Sequence, residues 1–469
     1  MLIGLTEESE KVRHDAILYG VPGQRLVEAS RLLTGPEDVE LIYRPLMDAL
    51  VRPLTEKEQE SGMYSPSEPR ILFEGTLEEA EEFYNQVENI PGMLNAPSSK
   101  YTDGLPVVIP TEERVAAMLK GTSHRPDEII AYQQDIQPHG GMDSMAGLMI
   151  KKGDVVRFMP NSRVATVEQV AVNAVMAGCK PEYFPLVLAI AESGGGTGDG
   201  RGEGGAYIVS GPIYKEIGMN VSYGRFCAGN PANKTIGRVG SMLWRNLGGY
   251  KETVSTIMTY GNPVTNGGFI FAEYGEGIPK EWKGLNEELG FKKDESVVMP
   301  IMPQRWGIGQ ENAPGVYRSL QKSGHGAIAR FLDVKGIPGP HNYLDYLTKN
   351  IWDTMEGGFT LVIEPSMAQD LVDLGFKSKE EVYEYLWKKS FQPMKEYRIR
   401  GAADFWTNGW TGIEPTSGKP WKELPEDYMV PAGGYGPQSY CIIVCDGQET
   451  DCQRFSGGHG LAFSVDNWR

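Results

Sequence analysis

The sequence predicts an α/β protein of several domains, in which buried and mostly parallel strands alternate with helices. Short apolar runs, such as those at 206–212, 267–275 and 296–303, are separated by segments with helical periodicity. This alternation is typical of parallel strands whose two faces are covered by helices. The 58 glycines and 31 prolines among 469 residues further predict many ordered loops.

We expect four units along the chain. The turn-rich segment NAPSSKYTDGLP, at 95–106, marks the first boundary. After residue 390 a stretch rich in Gly, Pro and Trp lacks clear periodicity, which indicates an ordered arm. The expected units are a small α/β unit at 1–95, a main α/β domain with the candidate site at 96–310, a smaller α/β unit at 311–390, and an arm with a C-terminal hairpin at 391–469.

In the first unit we expect a helix near 24–33, followed by strands near 39–43 and at 70–73. Thr76 and Glu79 then have the spacing of a capping box, in which the two residues satisfy each other's backbone N–H groups. A helix should therefore begin directly after Thr76.

A second capping box opens the most strongly signalled helix. Thr166 and Gln169 have the required spacing, and apolar residues follow at helical intervals as far as Gly178, which is a typical stop. Pro181 suits the first turn of another helix. Cys179 is therefore predicted to lie on a hinge between two helices.

Cys179 is the first candidate catalytic residue. A thiol next to Lys180 and just outside a helix N-terminus is surrounded by positive charge and unpaired N–H groups, which favour the thiolate. The alternative is a small buried thiol that fills a helix corner, since free cysteine is among the most buried residue types. Cys227, in a later loop, is a second thiol candidate.

A candidate anion site follows in the stretch CAGNPANKTIGRVGSM, where a turn-rich loop runs into an amphipathic helix. Asn233 or Thr235 can cap this helix, and the N–H groups of its first turn suit a carboxylate or a small phosphate. The alternative is a well-capped, solvated helix start. The residues expected to bind substrate are Lys180, Asn230, Asn233, Lys234 and Arg238.

Glu273 and His325 complete the candidate catalytic set. Both lie in glycine-rich loops, where side chains often reach a pocket, and either could transfer protons. An ordinary loop position is the alternative for each. A metal site could instead be assembled from Glu273, His325, His341 or the acidic loop with Asp199 and Glu203. No histidine pair has metal-ligand spacing, so no metal ligand is assigned from the sequence.

Two further features have plain interpretations. The glycine-rich loop at 193–205 is not predicted to bind a nucleotide, because it follows a helix, leads into a strand and carries acidic residues. No cofactor is inferred.

Cys445 and Cys452 flank the predicted turn at Asp446-Gly447 and could face each other as a dithiol, with core-facing thiols as the alternative.

Composition excludes some classes of partner. The formal net charge is −17 and the acidic residues are dispersed, which argues against binding to nucleic acid or to an anionic membrane. The N-terminus lacks the pattern of a secretory signal, and no run of about 18 apolar residues occurs. Five sparse cysteines indicate reduced thiols. We therefore expect a cytoplasmic protein that binds a small molecule or a protein partner.

Five stretches of the chain also resemble a known family. They are DGLPVVIPTEERVAAML, TVEQVAVNAVMAGCKPEYFPLVLA, CAGNPANKTIGRVGSMLWRNLGG, FIFAEYGEGIPKEW and LVIEPSMAQDLVDLGFKSKEEVYEYLW. They are similar to blocks of the large-subunit proteins found with the UGSC-motif thiol and selenoprotein family. The resemblance covers about 103–390, and the block around Cys179 is its most specific part.

In that family a Cys-Gly-Ser-Cys sequence, or its selenocysteine form, is the expected redox centre. This chain contains no Cys-Gly-Ser-Cys. The resemblance therefore implies that the redox motif belongs to a separate partner subunit, and that this chain supplies the substrate pocket. It implies thiol-linked chemistry without naming a substrate.

These observations support three hypotheses about function. The favoured one is the large subunit of a cytosolic, thiol-dependent oxidoreductase that acts on a small anionic substrate. The second is a metal-assisted lyase or hydrolase. The third is a non-catalytic scaffold or self-assembling structural subunit, with Trp406, Trp410 and Trp421 as the contact, because aromatic residues are enriched at interfaces. An oligomer is expected in the first and third cases.

Overall fold

Helices and strands alternate along the chain, as expected for the α/β class. The structure is a computed structural model. It describes residues 2–5, 16, 23–30, 39–59, 70–90, 97–136, 150–159, 163–194, 205–251, 267–301, 342–348, 358–399, 413–414, 416–431, 434, 436–448 and 452–469.

Capping signals in the sequence set the starts of several helices. Thr76 and Thr166 each accept a hydrogen bond from the backbone N–H three residues further on, and Glu79 and Gln169 return a bond to the N–H of the cap. Both predicted capping boxes are confirmed. The helices are α1 (Val39–Val51), α2 (Glu56–Gln59), α3 (Leu77–Tyr84), α4 (Glu112–Met118), α5 (Val167–Ala177), α6 (Phe184–Glu192), α7 (Ile213–Glu216), α8 (Pro231–Met242), α9 (Leu285–Glu288), α10 (Tyr343–Thr348), α11 (Pro365–Asp373), α12 (Lys379–Lys389) and α13 (Met394–Ile399).

The strands are short, and the apolar runs of the sequence supply the longest of them. They are β1 (Leu2–Leu5), β2 (Leu26–Ala29), β3 (Val87–Glu88), β4 (Ser98–Ser99), β5 (Ala206–Ser210), β6 (Phe269–Ala272), β7 (Val297–Ile301), β8 (Phe359–Ile363), β9 (Phe391–Pro393), β10 (Met429–Pro431), β11 (Tyr440–Val444), β12 (Cys452–Ser456) and β13 (Phe463–Ser464).

Two sheets form the centre of the described structure. One has the strand order β13-β7-β5-β6 and the other β11-β8-β12. Each contains one parallel pair, β5 with β6 and β8 with β11, and its remaining pairs are antiparallel. The expectation of mostly parallel strands is therefore met only in part. An apolar run indicates burial on both faces, but it does not encode the direction of the neighbouring strand.

The two sheets pack face to face between outer helices. Along β5, Tyr207 and Val209 point into the core formed with α5, α6 and α8, while Ala206 and Ile208 point the other way. That second face shares an apolar cluster with Ile443 and other residues of the three-stranded sheet. The opposite face of the three-stranded sheet packs on α11 and α12. The alternation of side chains along each strand thus builds four layers: helices, sheet, sheet, helices.

The predicted unit boundaries do not divide these layers. Strands β11 and β12, from the segment 391–469, complete the sheet of β8, and β13 from the same segment joins the sheet of β5 to β7. The C-terminal hairpin is also wrong, because β11 and β12 lie on opposite sides of β8 and do not pair with each other. The turn signal at Asp446-Gly447 ends β11, but β8 from earlier in the chain occupies the position between the two strands.

The first unit reverses two predicted elements. The expected helix near 24–33 is the strand β2, and the expected strand near 39–43 is the start of helix α1. Ile42, Leu46 and Ala49 of α1 pack on Val27 and Ala29 of β2. Pairing of β2 with β1 and packing of α1 on that pair outweigh the local signals. The strand expected at 70–73 is irregular backbone.

Candidate functional site

Cys179 closes the end of helix α5. Gly178 has the left-handed φ of 86°, its N–H donates to Val175 O at 2.9 Å, and the N–H of Cys179 donates to Ala174 O at 2.9 Å. This pair of bonds is a Schellman motif, in which the second residue beyond the helix usually packs back on its last turn. The predicted helix stop is confirmed, and it gives Cys179 a packing role.

The expectation of an activated thiolate at Cys179 is wrong. The side chain is half-buried against the main core. Burial raises its pKa to about 12, against smaller lowering effects of the Thr235 hydroxyl and the Arg238 charge. Lys180 does not help, because its exposed side chain extends toward Glu182 at 3.9 Å. The sequence places a lysine beside the thiol, but only packing decides which way each side chain points.

Asn230 caps helix α8 in place of the predicted Asn233 or Thr235. Its side-chain oxygen accepts from Asn233 N at 3.0 Å, and its Nδ2 donates to Gly218 O at 2.9 Å. Thr235 instead donates its hydroxyl to Pro231 O at 2.8 Å. The cap thus occupies the N–H of Asn233, and Pro231 has no N–H, so this helix start offers fewer free donors for an anion than we expected.

Arg238 is also committed within the chain. Its guanidinium makes two bonds of 2.8 Å to the carboxylate of Asp103, and it donates to the backbone oxygens of Leu105 and Pro106. A bidentate pair of this kind is the strong form of the interaction. Among the residues expected to bind substrate on this helix, Lys234 alone is an exposed cation.

Asn233 organises a loop instead of binding an anion. The side chain is buried, accepts from Asn220 N at 2.9 Å, and donates to Asn220 O at 3.1 Å and to Arg225 O at 3.3 Å. With the bond from Asn230 to Gly218, these contacts close the segment 218–230 onto the start of α8. We call this segment the Cys227 loop.

The Cys227 loop is fixed to the strands beneath it. Phe226 packs among aromatic rings of the sheet interface, at 5.2 Å from Phe271 and 5.8 Å from Phe455. Arg225 Nη1 donates to Asp446 O at 2.8 Å, and Asp446 N donates to Val221 O at 2.9 Å. The loop thus lies beside the carboxyl end of β11.

The side chain of Cys227 is exposed, whereas Cys179 is half-buried and Cys441, Cys445 and Cys452 are buried. All five cysteines of the chain are described, and none forms a disulfide. The second thiol candidate of the sequence is therefore the accessible one. Gly224 and Gly229, with φ of 70° and 123°, permit the tight backbone around it.

Arg225 is a functional candidate that sequence reasoning missed. Its guanidinium bonds only to backbone oxygens, of Ser222 and Asp446, and pairs with no carboxylate that the structure describes. Its Nε is buried without a hydrogen-bond partner. A partly buried guanidinium that has no counter-ion in the described part of the chain, two residues from an exposed thiol, is suited to bind an anion. Arg225 and Cys227 both lie in the sequence GRFCAGN, but the helical pattern that follows it favoured Lys234 and Arg238 as the anion-binding cations.

Glu273 lies at the carboxyl end of β6 and is deeply buried. Its carboxylate accepts from Ser210 Oγ at 2.7 Å, Leu285 N at 2.8 Å and Lys379 Nζ at 3.0 Å. Lys379 Nζ also lies 3.0 Å from Glu288, which accepts from the Tyr383 hydroxyl at 3.0 Å. We call these four residues, Glu273, Lys379, Glu288 and Tyr383, the buried charge network. Glu273 therefore serves a buried ion pair and does not line an open site.

Two carboxylates share one ammonium group in this network. Burial raises the pKa of Glu288 to about 7 against the lowering effect of the Lys379 charge, and the charge of Glu273 acts in the same direction as burial. Burial alone would lower the pKa of Lys379, but the two carboxylates outweigh it and leave that pKa above its ordinary value. Lys379 therefore stays charged, and Glu288 is the member that takes up a proton near neutral pH.

The Cys227 loop and the buried charge network meet at the carboxyl ends of β6 and β11. Tyr274 N, just after β6, donates to Val444 O at 2.7 Å. Burial raises the pKa of Cys445 to about 12, while the charge of Arg225 lowers this pKa and that of Glu273 raises it. Ligands of α/β proteins commonly bind at the carboxyl ends of the strands. This edge is therefore the position in the fold that best suits a site.

The C-terminal cysteines are structural. Cys445 N donates to Ile363 O on one side of β8, and Cys452 pairs with Ile363 on the other side. Two strand spacings, roughly 9 to 10 Å, separate them, which is too far for a disulfide without backbone movement. The dithiol interpretation is therefore wrong for this structure, and the core-facing alternative is confirmed by their burial.

Several sequence candidates lie outside the described residues: Asp199, Glu203, His325, His341, Trp406 and Trp410. Trp421 is described, and it is buried in a cluster with Tyr397 and Leu424 of its own chain. Within the described ranges no group of His, Cys, Asp and Glu side chains is arranged to hold a metal ion. No helix in those ranges has the length and apolar character needed to cross a bilayer.

A separate cleft of about 630 Å³ lies in the first unit, between β2 and α1. Its most buried cation, Arg25, pairs with Glu58 at 2.9 Å and donates to the backbone oxygens of Arg52 and Pro53. The guanidinium thus ties the end of α1 to the segment that follows it. Its bonding capacity is used within the chain, so it provides no free group for a ligand.

Replacing Asn233 by alanine is expected to loosen the Cys227 loop. The change leaves the backbone groups of Asn220 without their partner, and an unsatisfied buried polar group costs about 1 to 3 kcal/mol. Hydrogen exchange should accelerate in residues 218–230 more than in the strands. Lys234→Ala, at the exposed neighbouring position, is the control and should change stability by less than about 0.5 kcal/mol. Unchanged exchange in the loop of the Asn233 variant would contradict its role.

No known protein family, no curated protein and no solved structure matches this chain in sequence or fold comparisons.

Proposed function

We propose that this chain is the large subunit of a thiol-dependent enzyme, an oxidoreductase acting on a small anionic substrate, and that Cys227 supplies the sulfur. The observation that carries the proposal is that one anchored loop contains, two residues apart, the exposed thiol and a guanidinium with no carboxylate partner among the described residues. Cys179, the candidate preferred from sequence, is set aside because its thiol is half-buried with a raised pKa.

The two side chains have complementary roles. A thiolate is the nucleophilic or redox-active form of cysteine, and it needs access to solvent and substrate. The fixed position of Arg225 would hold the anionic group of the substrate near that sulfur at little entropic cost, because the loop is already tied down by Asn233 and Asp446. Lys234, exposed on the first turn of α8, would add to the local positive charge.

The partner and the compartment belong to the same proposal. The resemblance to the UGSC-motif family supports a separate Cys-Gly-Ser-Cys subunit that exchanges electrons with this chain. Free cysteines throughout the chain support a reducing compartment, the cytosol. Mild oxidation of native extracts should trap a mixed disulfide between Cys227 and the partner, which mass spectrometry would identify. Cys227→Ser should abolish that adduct, whereas Cys179→Ser should retain it.

Alkylation of the native protein tests whether Cys227 is the reactive thiol. Neutral iodoacetamide at pH 7.5 should label Cys227 at least tenfold faster than any other cysteine, because the others are wholly or partly buried. Peptide mass spectrometry over time gives each rate, and labelling in denaturant shows that all five can react. Labelling of Cys179 at the rate of Cys227 would remove the basis for choosing Cys227.

A charged reagent tests Arg225. Iodoacetate carries the negative charge that the substrate is proposed to carry, so Arg225→Gln should reduce its rate relative to that of iodoacetamide by about threefold or more, as expected for one charge at short range in a partly screened setting. Dividing the two rates cancels any change in the intrinsic reactivity of the thiol. Arg125→Gln, at an exposed site outside the Cys227 loop, is the matched control. An unchanged ratio would refute anion binding by Arg225.

A further inference from the structure

Helix α1 has a second apolar face, which is exposed in the described part of the structure. Its inner face, with Ile42, Leu46 and Ala49, packs on β2. Large apolar side chains also follow at intervals of four, four, three and four residues along an adjacent side, about a quarter turn from the inner face, which places them on one stripe of the helix and its continuation. They are Val39, Tyr43, Met47, Leu50 and Leu54, between 40% and 60% exposed.

Four charged residues flank this stripe in alternating sign. Glu40, Arg44, Asp48 and Arg52 are spaced by four residues, so they form a second line along the helix beside the apolar one. Arg52, just after the helix, already pairs with Glu58 at 2.8 Å, and it lies 3.9 Å from Asp48, whose side chain is 74% exposed. When this order of acid, base, acid, base is reversed, every acidic position meets a basic one. An antiparallel copy of the helix therefore has the complementary charge pattern.

We propose that the exposed face of α1 binds the same face of a second copy of this chain, with the two helices antiparallel. A twofold axis that crosses the exposed stripe at the level of residue 46, between Tyr43 and Met47, would place Arg44 opposite Asp48 of the partner subunit. The apolar stripes would meet along the axis. Every ion pair then forms twice, as required for an isologous contact. A parallel arrangement brings like charges together and loses this complementarity.

The charge pattern favours this occupant over the others that an apolar helix face could bind. Membrane-surface helices carry basic residues beside the apolar stripe, whereas this flank has equal numbers of acids and bases. A partner of one charge sign would meet repulsion at every second position. A helix of 13 residues is only about 20 Å long and buries less than a standard interface. The dimer is therefore expected to be weak and dependent on concentration.

Analytical ultracentrifugation of the full chain tests the proposal. Between about 1 and 100 μM, a range that brackets weak association, the mass should rise from that of the 51.8 kDa monomer toward twice that value. Leu50→Glu puts a charge in the stripe at a position already 60% exposed, so the fold should tolerate it and dimerisation should weaken at least tenfold. Leu374→Glu, at another exposed apolar position, is the matched control and should dimerise normally.

Charge reversal tests the antiparallel register. Arg44→Glu or Asp48→Arg alone should weaken the dimer several-fold, because each variant places like charges opposite each other across the axis. The double variant R44E/D48R restores opposite charges and should recover the affinity. A mass that stays monomeric throughout, a Leu50→Glu variant that dimerises like the parent, or a double variant no better than the single ones would overturn the proposal.

Discussion

Replacing Lys379 by methionine is expected to destabilise the protein by roughly 3 to 5 kcal/mol, the cost of leaving buried charge without its partner. The ammonium group lies 3.0 Å from both Glu273 and Glu288, and the side chains of all three are at most 4% exposed. Methionine keeps the length of the side chain but removes its charge, so two carboxyl groups lose their shared counter-ion. The shift in the midpoint of urea unfolding at pH 7 would measure the loss.

Lys388→Met is the matched control for that substitution. Lys388 lies on the same helix, is 67% exposed, and pairs with Glu384 at 3.1 Å. Exposed pairs of this spacing contribute about 0.3 to 0.5 kcal/mol, so the control should change stability little. The Lys379 variant should recover part of its stability at pH 5, where Glu288 is protonated. If the Lys379 variant lost less than about 1 kcal/mol of unfolding free energy, the charges of the network would contribute nothing to stability beyond side-chain packing.

The second large expected effect is a loss of stability between pH 5 and pH 8. The carboxyl of Glu288 has an ordinary pKa of 4.5, and burial raises that pKa to about 7 in the folded protein. The folded state holds this proton more tightly than the unfolded state does. The contribution of Glu288 to the free energy of unfolding is therefore fully present below about pH 4.5 and is lost as the pH rises through 7. The difference corresponds to a free energy of unfolding on the order of 3 kcal/mol.

Glu192 acts in the same direction. Burial raises its pKa to about 7, against hydrogen bonds from Gln133 N at 2.8 Å and Trp468 Nε1 at 2.6 Å. Carboxyl groups whose pKa is lowered, such as Glu79, act below their ordinary pKa of 4.5 and so outside this window. Urea unfolding at several pH values should show the decline, and calorimetry at the same values gives an independent measure.

Glu288→Gln separates the network from other titrating groups. Glutamine cannot titrate, so the unfolding free energy of this variant should fall less between pH 5 and pH 8 than that of the parent protein. Glu281→Gln, at an exposed position, is the control and should keep the full decline. A parent protein whose stability rises across this range, or a Glu288 variant with an unchanged slope, would contradict the assignment of the proton to Glu288.

Local sequence signals predicted the helices and strands correctly where neighbouring residues supply the stabilising contacts. Capping boxes at Thr76 and Thr166, the stop at Gly178 and the buried runs that became β5 to β8 all depend on contacts between residues close in sequence. Prediction failed where a distant segment decided the outcome. Strand β8 separates β11 from β12 and turns the expected hairpin into the two flanks of one sheet.

The candidate site shows the same division. The sequence identified the Cys227 thiol and the cations after it, but it ranked Cys179, Arg238 and Asn233 above the residues that the fold leaves available. Arg238 is satisfied by Asp103, which lies 135 positions away in the chain, and Asn233 by the loop that it closes. Whether a polar group is free or already paired depends on such long-range partners, which spacing alone does not reveal.

By itself, therefore, the sequence determined the α/β class, the main helix ends, the buried strands and the set of groups from which a site can be built. The tertiary structure alone decided the strand directions, which thiol reaches solvent and which charges lack partners. The physical reason is that caps and periodicity act over a few residues, whereas burial and ion pairing depend on which distant segments meet. Cys179 and Cys227 are both cysteines beside a helix, and packing by the rest of the chain makes them different.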